Sequence, residues 1–551
     1  MPTSFRRRKV LATCLLSILT MVLLLVLWLS YRSIGPYRSY RVDMIKPAPG
    51  QSVQPGTLEV GVAKRDITPL MDRYDPWVDA DNNGKFEPKK GDTYTDRNGN
   101  GTFDFVWIAG FGNNRPAKGV HDPLWARAIA FRNNGVTVVM VSLDSIGIFH
   151  EKFIAIRKMI DPSLGIDHVM FSSLHDHEAP DTMGIWSYSI LHPRFDRNYM
   201  ALVQKACKEA VEEAVRNLQP AEATLAQVAA GPGGYVDDSR QPIVYDNVIR
   251  CARFVRKGTD DTIATVVEWG CHPETLGGAN SLLTSDFCGY WRDAVENGVP
   301  EPNGVKGLGG MCIYFQGCLG GLMTQLHTTV PHRNGVDKFR DASFEKAQAL
   351  GENLAIVTVN ALRGETAWRP NNTRVAVAAK TIFVPMSGLF GCGVFLGLAH
   401  PGWYWGKGKT ELDVIQIGDL EILTIPGELY PEIADGGIES PEGADYPSPP
   451  IEVPPLRSQM KGKLNMIVGL ANDEVGYIIP KSQWDKKPPY AYGRTKSPQY
   501  GEENSPGPDV APTIHREATA LLKQFHAARS ADFQSADSQY SIRRRASIRV
   551  Y

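Results

Sequence analysis

Short apolar runs recur along the chain between residues 136 and 425, separated by polar stretches that contain Gly, Pro and Asn. The runs are continuous rather than alternating, which is typical of strands buried on both faces. Helical periodicity predicts helices at 199–218 and 344–362. The predicted strands are 136–143, 168–173, 262–269, 312–315, 375–384 and 420–425. The pattern therefore predicts an α/β fold with a mixed β-sheet core and flanking helices.

The N-terminus carries a different pattern. A basic cluster, Arg6 to Lys9, precedes an uncharged run at 10–30, which is long enough to span a bilayer as a helix. The basic cluster is expected to stay in the cytoplasm. The folded part is then membrane-anchored and extracytoplasmic. Because residues 28–34 contain no small-x-small cleavage site, a signal anchor is favoured over a cleaved signal peptide.

These patterns divide the chain into four segments. Residues 1–31 form the basic stub with the signal anchor or signal peptide, and the Pro-, Gly- and Ser-rich residues 32–56 form a linker. Residues 57–527 form a single large domain that contains an insertion at 71–107. Residues 528–551, rich in Ser, Gln and Arg, form a disordered basic tail.

Composition adds one exclusion. The chain has 551 residues, 43% hydrophobic and 22% charged, which is ordinary for a globular protein. Its 59 basic and 60 acidic side chains give a formal net charge of −1 at pH 7. No nucleic-acid partner is therefore expected.

Two similar loops in the insertion place oxygen-bearing side chains at alternate positions around a glycine. They are "DADNNGKFE" at 79–87 and "DRNGNGTFD" at 96–104. Ca²⁺ prefers six to eight oxygen ligands from such turns, although a pair of Asn/Gly/Asp turns without an ion is the alternative. The candidate ligands of a structural Ca²⁺ are Asp79, Asp81, Asn83, Glu87, Asp96, Asn98, Asn100 and Asp104.

Histidine and glutamate side chains follow three of the predicted strands. His175 and His177 come directly after one strand and, two residues apart in an extended chain, face the same side. His272 and Glu428 follow two others. Each has an ordinary explanation as a polar loop residue or a cap. Together, at the strand-end loops where α/β proteins collect ligands, they indicate a zinc centre.

An ordered set of motifs resembles the neutral/alkaline, non-lysosomal ceramidases from about residue 61 to residue 522. The motifs are "GVAKRDITP", "LWARAIAF", "VVMVSLD", "CHPET", "YFQGCLGG", "IPGEL" and "DEVGYIIP". The resemblance implies a zinc-dependent hydrolase that cleaves the amide bond of N-acylsphingosine. It also implies that His175, His272, Glu428 and Tyr477 bind the zinc, with His177 beside the metal as a substrate- or proton-handling group.

Several positions depart from that family. Gly321 and Met323 stand where the ceramidases carry an acid or amide and a serine considered important for catalysis. A serine-nucleophile mechanism is therefore not expected. The sequence His-Asp-His-Glu-Ala-Pro-Asp at 175–181 also makes the pocket more acidic than the family pattern does. These changes indicate a divergent relative with a different substrate.

The expected reaction is hydrolysis of an amide bond, in N-acylsphingosine or a related N-acyl lipid, by metal-activated water. His177 is the first candidate for the general base, with Asp176 and Glu178 as alternatives. Asp144 is predicted to orient a ligand imidazole, or else to cap a turn. The rival functions are a zinc hydrolase of non-lipid amides or esters and a membrane-tethered, non-catalytic binding protein with a vestigial metal site.

Overall fold

The computed structural model describes residues 2–51, 56–186, 196–230, 235–396, 402 and 404–547. The side chains of residues 2–7, 389–390 and 530–547 lie outside this description. The longer strands are β1 (Asp43–Lys46), β2 (Glu59–Asp66), β3 (Trp125–Asn133), β4 (Val136–Leu143), β5 (His168–Ser173), β6 (Gln219–Ala229), β7 (Val248–Arg256), β8 (Thr262–Trp269), β9 (Met311–Gln316), β10 (Val375–Pro385), β11 (Lys407–Ile417), β12 (Leu420–Thr424) and β13 (Leu464–Val468).

These strands form two mixed sheets. The eight-stranded sheet has the order β9-β8-β7-β6-β2-β3-β4-β5, and the five-stranded sheet has the order β1-β10-β11-β12-β13. The pairs β8–β9, β4–β5 and β12–β13 are parallel, whereas the other neighbours are antiparallel. The prediction of a mixed-sheet α/β core is therefore confirmed.

Strand β4 shows why some strands lack an alternation of apolar and polar residues, since all of its residues are buried. Val138 and Met140 pack in the core between the two sheets. Val139 and Val141, on the opposite face, pack in the core under the helices. Because both faces are covered, alternation with polar residues disappears.

Helices cover the outer faces of both sheets. In chain order the helices are α1 (Pro2–Ile34), α2 (His150–Met159), α3 (Arg197–Arg216), α4 (Asp286–Asn297), α5 (Phe344–Arg363), α6 (Gly388–Leu396), α7 (Pro431–Asp435), α8 (Leu456–Gln459) and α9 (Val510–Ser547), of which α1 covers neither sheet because its described side chains are mostly exposed. Helices α2 to α5 pack on the larger sheet and α9 packs on the smaller one. The result is a four-layer domain in which two sheets lie between helical layers.

Short elements complete the loops. The paired two-residue strands are Trp77–Val78 with Thr93–Tyr94, Gly119–Val120 with Leu282–Leu283, Asp237–Asp238 with Met323–Thr324, Gly298–Val299 with Val305–Lys306, Val330–Pro331 with Lys338–Phe339, and Glu428–Leu429 with Tyr477–Ile478. The 3-10 helices are Met71–Arg73, Pro88–Lys90, Pro162–Leu164, Lys481–Gln483, Ala491–Gly493 and Glu502–Asn504.

Two elements extend into the segments that the sequence assigns to the linker and the tail. Strand β1 lies inside the predicted linker, yet it pairs with β10 because Met44 and Ile45 pack against the cores on either side of the smaller sheet. Helix α9 continues to Ser547 through the predicted disordered tail, since no Pro or Gly interrupts residues 513–547. Among the described residues, helix α1 contains one apolar stretch, Arg8–Ile34, that is long enough to cross a membrane.

Candidate metal centre

Two histidine loops meet where the larger sheet curls on itself. His175 lies just beyond β5, at one edge of the sheet, and His272 lies just beyond β8, near the other edge. Gln316, at the end of β9, donates hydrogen bonds from Nε2 to the carbonyl oxygens of Leu174 and Cys271, at 2.7 and 2.9 Å. Because these carbonyls immediately precede the two histidines, one buried amide fixes both loops.

Glu428 and Tyr477 are brought together by a parallel pair of two-residue strands, in which they are direct partners. Both side chains are buried. The Tyr477 hydroxyl is hydrogen-bonded to the Glu428 carboxylate. The backbone pairing therefore places a phenol beside a carboxylate at the same edge as the two histidines.

The two imidazole rings are held by main-chain carbonyl groups. The Nδ1 atom of His175 lies 2.8 Å from the carbonyl oxygen of Ile146, and that of His272 lies 2.8 Å from the carbonyl oxygen of Met323. This leaves both Nε2 atoms directed at Oε2 of Glu428, at 3.5 Å from His175 and 3.0 Å from His272. Carbonyl groups that fix the other ring nitrogen are typical of metal-binding histidines.

These distances suit a zinc ion. Ligand atoms at 2.0–2.1 Å from tetrahedral zinc lie about 3.3 Å from one another, and the two nitrogen–oxygen distances, 3.0 and 3.5 Å, bracket this value. His175 also has a φ of 63°, in the left-handed region that non-glycine residues rarely adopt. Such backbone strain persists where the surrounding structure holds a functional side chain in place.

His177 lies beside the two candidate ligands. One ring nitrogen from each of His175, His177 and His272 lies within 4.8 Å of the others. The Nδ1 atom of His177 lies 3.3 Å from Oε2 of Glu274. Gly110 has a φ of 91°, and a Cβ atom at this position would collide with the His177 ring. The ring is therefore confined between a glycine and a carboxylate.

Burial and neighbouring charges set the pKa values of the cluster. Burial lowers the pKa of His175, and burial together with the adjacent imidazoles lowers that of His177 well below its usual range. Burial raises the pKa of Glu428, but the two histidines outweigh it and the net shift is downward. At His272 burial lowers the pKa, but the hydrogen bond to Glu428 and the charges of Glu274 and Glu428 together outweigh burial, and the net shift is upward. Two of the three imidazoles thus favour the neutral form that binds metals.

A cavity opens beside these residues. Its empty volume, the open mouth included, is about 970 Å³. The wall combines acidic, aromatic and aliphatic side chains, among them Glu428, Glu474, Met183, Ile185, Trp186 and Tyr500. Such a wall fits a ligand that has both a polar and an apolar part.

Other predicted site residues point elsewhere. Glu178 is fully buried and accepts hydrogen bonds from Arg115 and Asn280, at 3.1 and 2.7 Å, and burial raises its pKa to about 8. Asp176, also buried, accepts a hydrogen bond from the backbone N–H of Glu178. Both carboxyl groups therefore support the histidine loop from behind.

Asp144 does not orient an imidazole. It forms a bidentate ion pair with Arg292, at 2.5 and 2.8 Å, and accepts the backbone N–H of Trp125. The role predicted for it is taken by the carbonyl groups of Ile146 and Met323. A main-chain carbonyl is present at every residue, so the sequence gives no signal for this arrangement.

The structure also adds residues that the sequence interpretation missed. Glu274 lies next to His177, and Gln316 joins the two histidine loops. Glu274 lies in the motif "CHPET" and Gln316 lies in the motif "YFQGCLGG". Their contacts join residues far apart in the chain, so the motifs alone do not indicate them.

Met323 has no hydroxyl group, and its side chain is buried against Leu319 and Leu470. No hydroxyl nucleophile is therefore available at this position.

The first loop of the insertion gathers three carboxylates. Asp79, Asp81 and Asp92 each place an oxygen within 4.8 Å of the others, and Asp92 was not predicted. Asn83 Nδ2 donates to the carboxylates of Asp81 and Glu87, at 3.0 and 2.7 Å. The Lys118 ammonium lies 3.1 Å from Asp79 and supplies positive charge to the same loop.

The second loop has the same design at the surface. Asp96 accepts backbone N–H groups from Gly99 and Gly101, each at 2.7 Å. Asn98 and Asn100 donate from their amide groups to Asp104, at 2.8 and 2.6 Å. All the predicted side chains therefore converge within their own loop.

A two-sheet domain covered by helices, with histidines gathered at the strand ends, defines the class of protein: the chain has a neutral ceramidase-like fold. Among solved structures, the neutral ceramidase from Pseudomonas aeruginosa matches with a TM-score of 0.59 and 15% identity, over 86% of this chain and 75% of that chain. A ceramidase complexed with C2 matches with a TM-score of 0.57 and 13% identity, over 86% and 75%.

No protein-family model and no curated protein matches this sequence. The two structural matches nevertheless confirm the resemblance that the ordered motifs predict. Identities of 13–15% make the chain a divergent version of that fold.

Proposed function

We propose that this protein is a zinc-dependent hydrolase that cleaves the amide bond of N-acylsphingosine or a related N-acyl lipid. The observation that carries the proposal is the convergence of two oriented imidazoles on one buried carboxylate. This group lies at the strand ends of a fold shared with neutral ceramidases. The donor set matches the nitrogen and oxygen ligands that zinc prefers.

In this proposal His175, His272, Glu428 and Tyr477 hold the metal. When bound, Zn²⁺ polarises the scissile carbonyl group and lowers the pKa of water. His177 receives the proton of the attacking water and returns it to the leaving amine. Glu274, 3.3 Å from Nδ1 of His177, orients that ring.

The alternative bases have a different proposed role. Glu178 is fully buried, and its Oε2 atom accepts hydrogen bonds from Arg115 and Asn280, so that these contacts hold its side chain in place. Asp176 supports the backbone N–H of Glu178. We therefore assign both to the positioning of the loop that carries His175 and His177.

The cavity wall favours an amphiphilic substrate. Met183, Ile185 and Trp186 offer apolar contact, while Glu474 and Tyr500 offer polar groups beside the candidate ligands. An N-acyl lipid supplies both features: an alkyl chain and an amide flanked by hydroxyl groups. Small polar amides and esters would leave the apolar part of the wall without a partner.

Two further proposals concern the rest of the chain. Helix α1 anchors the protein in a membrane, with the domain on the extracytoplasmic side because Arg6 to Lys9 precede the apolar stretch. The insertion binds Ca²⁺ as a structural ion, since each loop gathers several carboxylate and amide side chains.

The test combines metal content with catalysis on the full chain in detergent. We expect about one zinc per chain and release of fatty acid from a fluorescent N-acylsphingosine. His175→Ala, His272→Ala and Glu428→Ala should each lose zinc and activity, whereas the control His332→Ala, on the distant turn before Lys338–Phe339, should keep both. Bound zinc together with activity on small polar amides, but not on N-acylsphingosine, would indicate a non-lipid hydrolase. Unchanged zinc in all three variants would refute the site, and no zinc after replete expression would favour a binding protein.

A further inference from the structure

The segment that follows the anchor helix is fixed to the folded domain. Val42 exchanges two hydrogen bonds with Thr381 of β10, at 2.7 and 2.8 Å. The Tyr40 hydroxyl accepts a hydrogen bond from Arg157 of α2 at 2.7 Å. Together with the pairing of β1 and β10, these contacts hold residues 40–46 on the smaller sheet. The end of α1 therefore has a defined position relative to the domain.

Further contacts tie the helix end to the region around α6. The backbone N–H of Gly402 donates to the carbonyl oxygen of Ser33 at 2.6 Å, and Lys409 Nζ donates to that of Tyr37 at 2.5 Å. Helices α1 and α6 also pack against each other. Leu396, the last residue of α6, is 50% exposed, and Trp405, three residues after Gly402 in the chain, is 67% exposed. Tryptophan with exposed aliphatic residues is typical of the membrane–water interface.

The length of α1 sets the level of this region. The 27 residues Arg8–Ile34 span about 40 Å at 1.5 Å each, and the hydrocarbon core of a bilayer is about 30 Å thick. With Arg8 at the cytoplasmic face, Ile34 would lie in the opposite headgroup layer, and α6 would lie near the same level because it contacts α1.

A second cavity begins at this level. Ile34, Met386 and Val394 contribute its apolar wall, from α1, the end of β10 and α6. Lys409 and Glu474 contribute polar groups. Most of the empty volume of about 610 Å³ belongs to the open mouth, so that an alkyl chain would lie in an open groove rather than in an enclosed pocket. The combination suits an alkyl chain that enters beside the anchor.

Glu474 connects the two cavities. It lines the cavity beside α1 and also the cavity that contains His175, Glu428 and Tyr477. Its side chain is buried and packs against Gly147, where a Cβ atom would lie 2.7 Å from its Cγ. The wall between the membrane side and the candidate metal centre is therefore one side chain thick at this point.

We propose that the cavity between α1, α2 and α6 binds the alkyl chain of a lipid taken directly from the bilayer, and that this lipid reaches the candidate metal centre laterally, past Glu474. The proposal rests on the proposed hydrolase function for the identity of that centre. The binding of the alkyl chain is inferred from the cavity alone and does not depend on the hydrolase function. The occupant is a membrane lipid because the mouth is continuous with the anchor helix and with exposed apolar groups of α6.

The binding test uses the full-length protein in lipid nanodiscs that contain a phospholipid with a diazirine in its alkyl chain. After illumination we expect cross-links to peptides that contain Met386 or Val394, detected by mass spectrometry. The variant Val394→Trp fills the cavity and should lose these cross-links, whereas Val336→Trp, at a side chain 79% exposed in the distant Val330–Phe339 region, should keep them. Cross-links confined to α1 would overturn the proposal, and wild-type protein alone decides this point if Val394→Trp fails to fold.

The kinetic test compares two substrates: a long-chain N-acylsphingosine in the nanodisc and a short-chain, water-soluble analogue. Val394→Trp should lower kcat/KM for the long-chain substrate about tenfold and leave the soluble analogue nearly unchanged. Equal effects on both substrates would overturn lateral access. If wild-type protein cleaves neither substrate, the proposed hydrolase function fails, while the cross-linking result still decides whether the cavity binds a lipid chain.

Discussion

At the scale of single residues, main-chain carbonyl groups orient both candidate zinc-binding imidazoles. Ile146 and Met323 provide them, each 2.8 Å from an Nδ1 atom. A carbonyl group is uncharged, so it fixes the ring without adding an ionised group to a buried site. The nearest carboxylate in the motif "VVMVSLD", Asp144, is left to neutralise a buried arginine.

Asp144→Asn tests this division of roles. Removing one partner of a buried ion pair leaves the charge of Arg292 uncompensated, which costs roughly 3 kcal/mol. We expect a lower free energy of unfolding in denaturant titrations but an unchanged zinc content of the folded fraction. The control is Asp260→Asn, whose exposed pair with Arg253 should change stability by less than about 0.5 kcal/mol. Loss of zinc without loss of stability would restore the predicted role of Asp144.

Gly110→Ala tests the confinement of His177. The φ of 91° and the collision of a Cβ atom with the His177 ring should displace that ring and cost about 2 kcal/mol of stability. We expect a fall in kcat that exceeds the fall in zinc content. Gly112→Ala is the matched control, since its Cβ atom would meet nothing within 4 Å. Equal activity of the two variants would contradict the placement of His177 in the reaction.

At the scale of elements, an ionic network joins α2, β5 and β11. Arg157 pairs with Glu411 at 2.7 Å, and His168 pairs with Asp413 at 3.0 Å. Asn472 links the two pairs through hydrogen bonds to Arg157 and Asp413. The network lies between a helix and both sheets, where it replaces apolar packing. Its charges make the stability of the fold depend on pH.

Glu411 gives that dependence a direction. Burial raises its pKa, but Arg157 and the nearby histidines outweigh burial and lower the pKa from 4.5 to about 2. The ionised Glu411 therefore contributes roughly 3 kcal/mol to the free energy of unfolding. This contribution is fully present above pH 4.5 and is lost as the pH falls towards 2. Glu411→Gln should flatten the unfolding free energy over this window, whereas Glu442→Gln, at an exposed position, should not. Parallel curves for wild type and Glu411→Gln would contradict the assignment.

The insertion forms another element with a measurable property. If its two loops bind Ca²⁺, calcium at about 100 times its Kd should stabilise the protein by about 2.7 kcal/mol for each site. For a domain of this size that corresponds to a rise in Tm of about 3 °C. The double variant Asp79→Asn/Asp96→Asn should abolish the rise. The control Asp72→Asn, at an exposed position in the same insertion, should retain the calcium-dependent rise in Tm. A wild-type Tm that does not change with calcium would refute the proposal.

At the scale of the whole molecule, the pairing of β1 with β10 holds the segment after helix α1 against the domain. We expect the full-length protein to stay in the membrane fraction after an alkaline carbonate wash. After thermal unfolding of the domain, protease added from the extracytoplasmic side should digest it. The residues before Val10, on the cytoplasmic side, should remain uncut. A variant lacking residues 2–31 should be released by the wash. Release of the intact wild-type chain would contradict the anchor, and a mature N-terminus beyond residue 31 would identify a cleaved signal peptide.

Much of the fold could be predicted from local pattern. Strands β4, β5 and β8 begin and end where their apolar runs do, since burial on both faces leaves few polar positions inside them. Strand β1 could not be predicted, because its four residues are half-exposed and acquire their partner from a strand more than 300 residues later. The continuation of helix α9 to Ser547 is not apparent from the Ser-, Gln- and Arg-rich composition of that segment, which contains no Pro or Gly.

The sequence by itself determined the apolar stretch of α1, the mixed-sheet α/β class and the candidate ligands at the strand ends, because each follows from a pattern among residues that are close together in the chain. The tertiary structure decided which of them meet. It decided that Glu428 pairs with Tyr477, that Gln316 joins the loops of His175 and His272, and that Asp144 faces Arg292. The physical reason is that contacts between residues far apart in the chain depend on how sheets curl and pair, and no local pattern of hydrophobic and polar residues records that geometry.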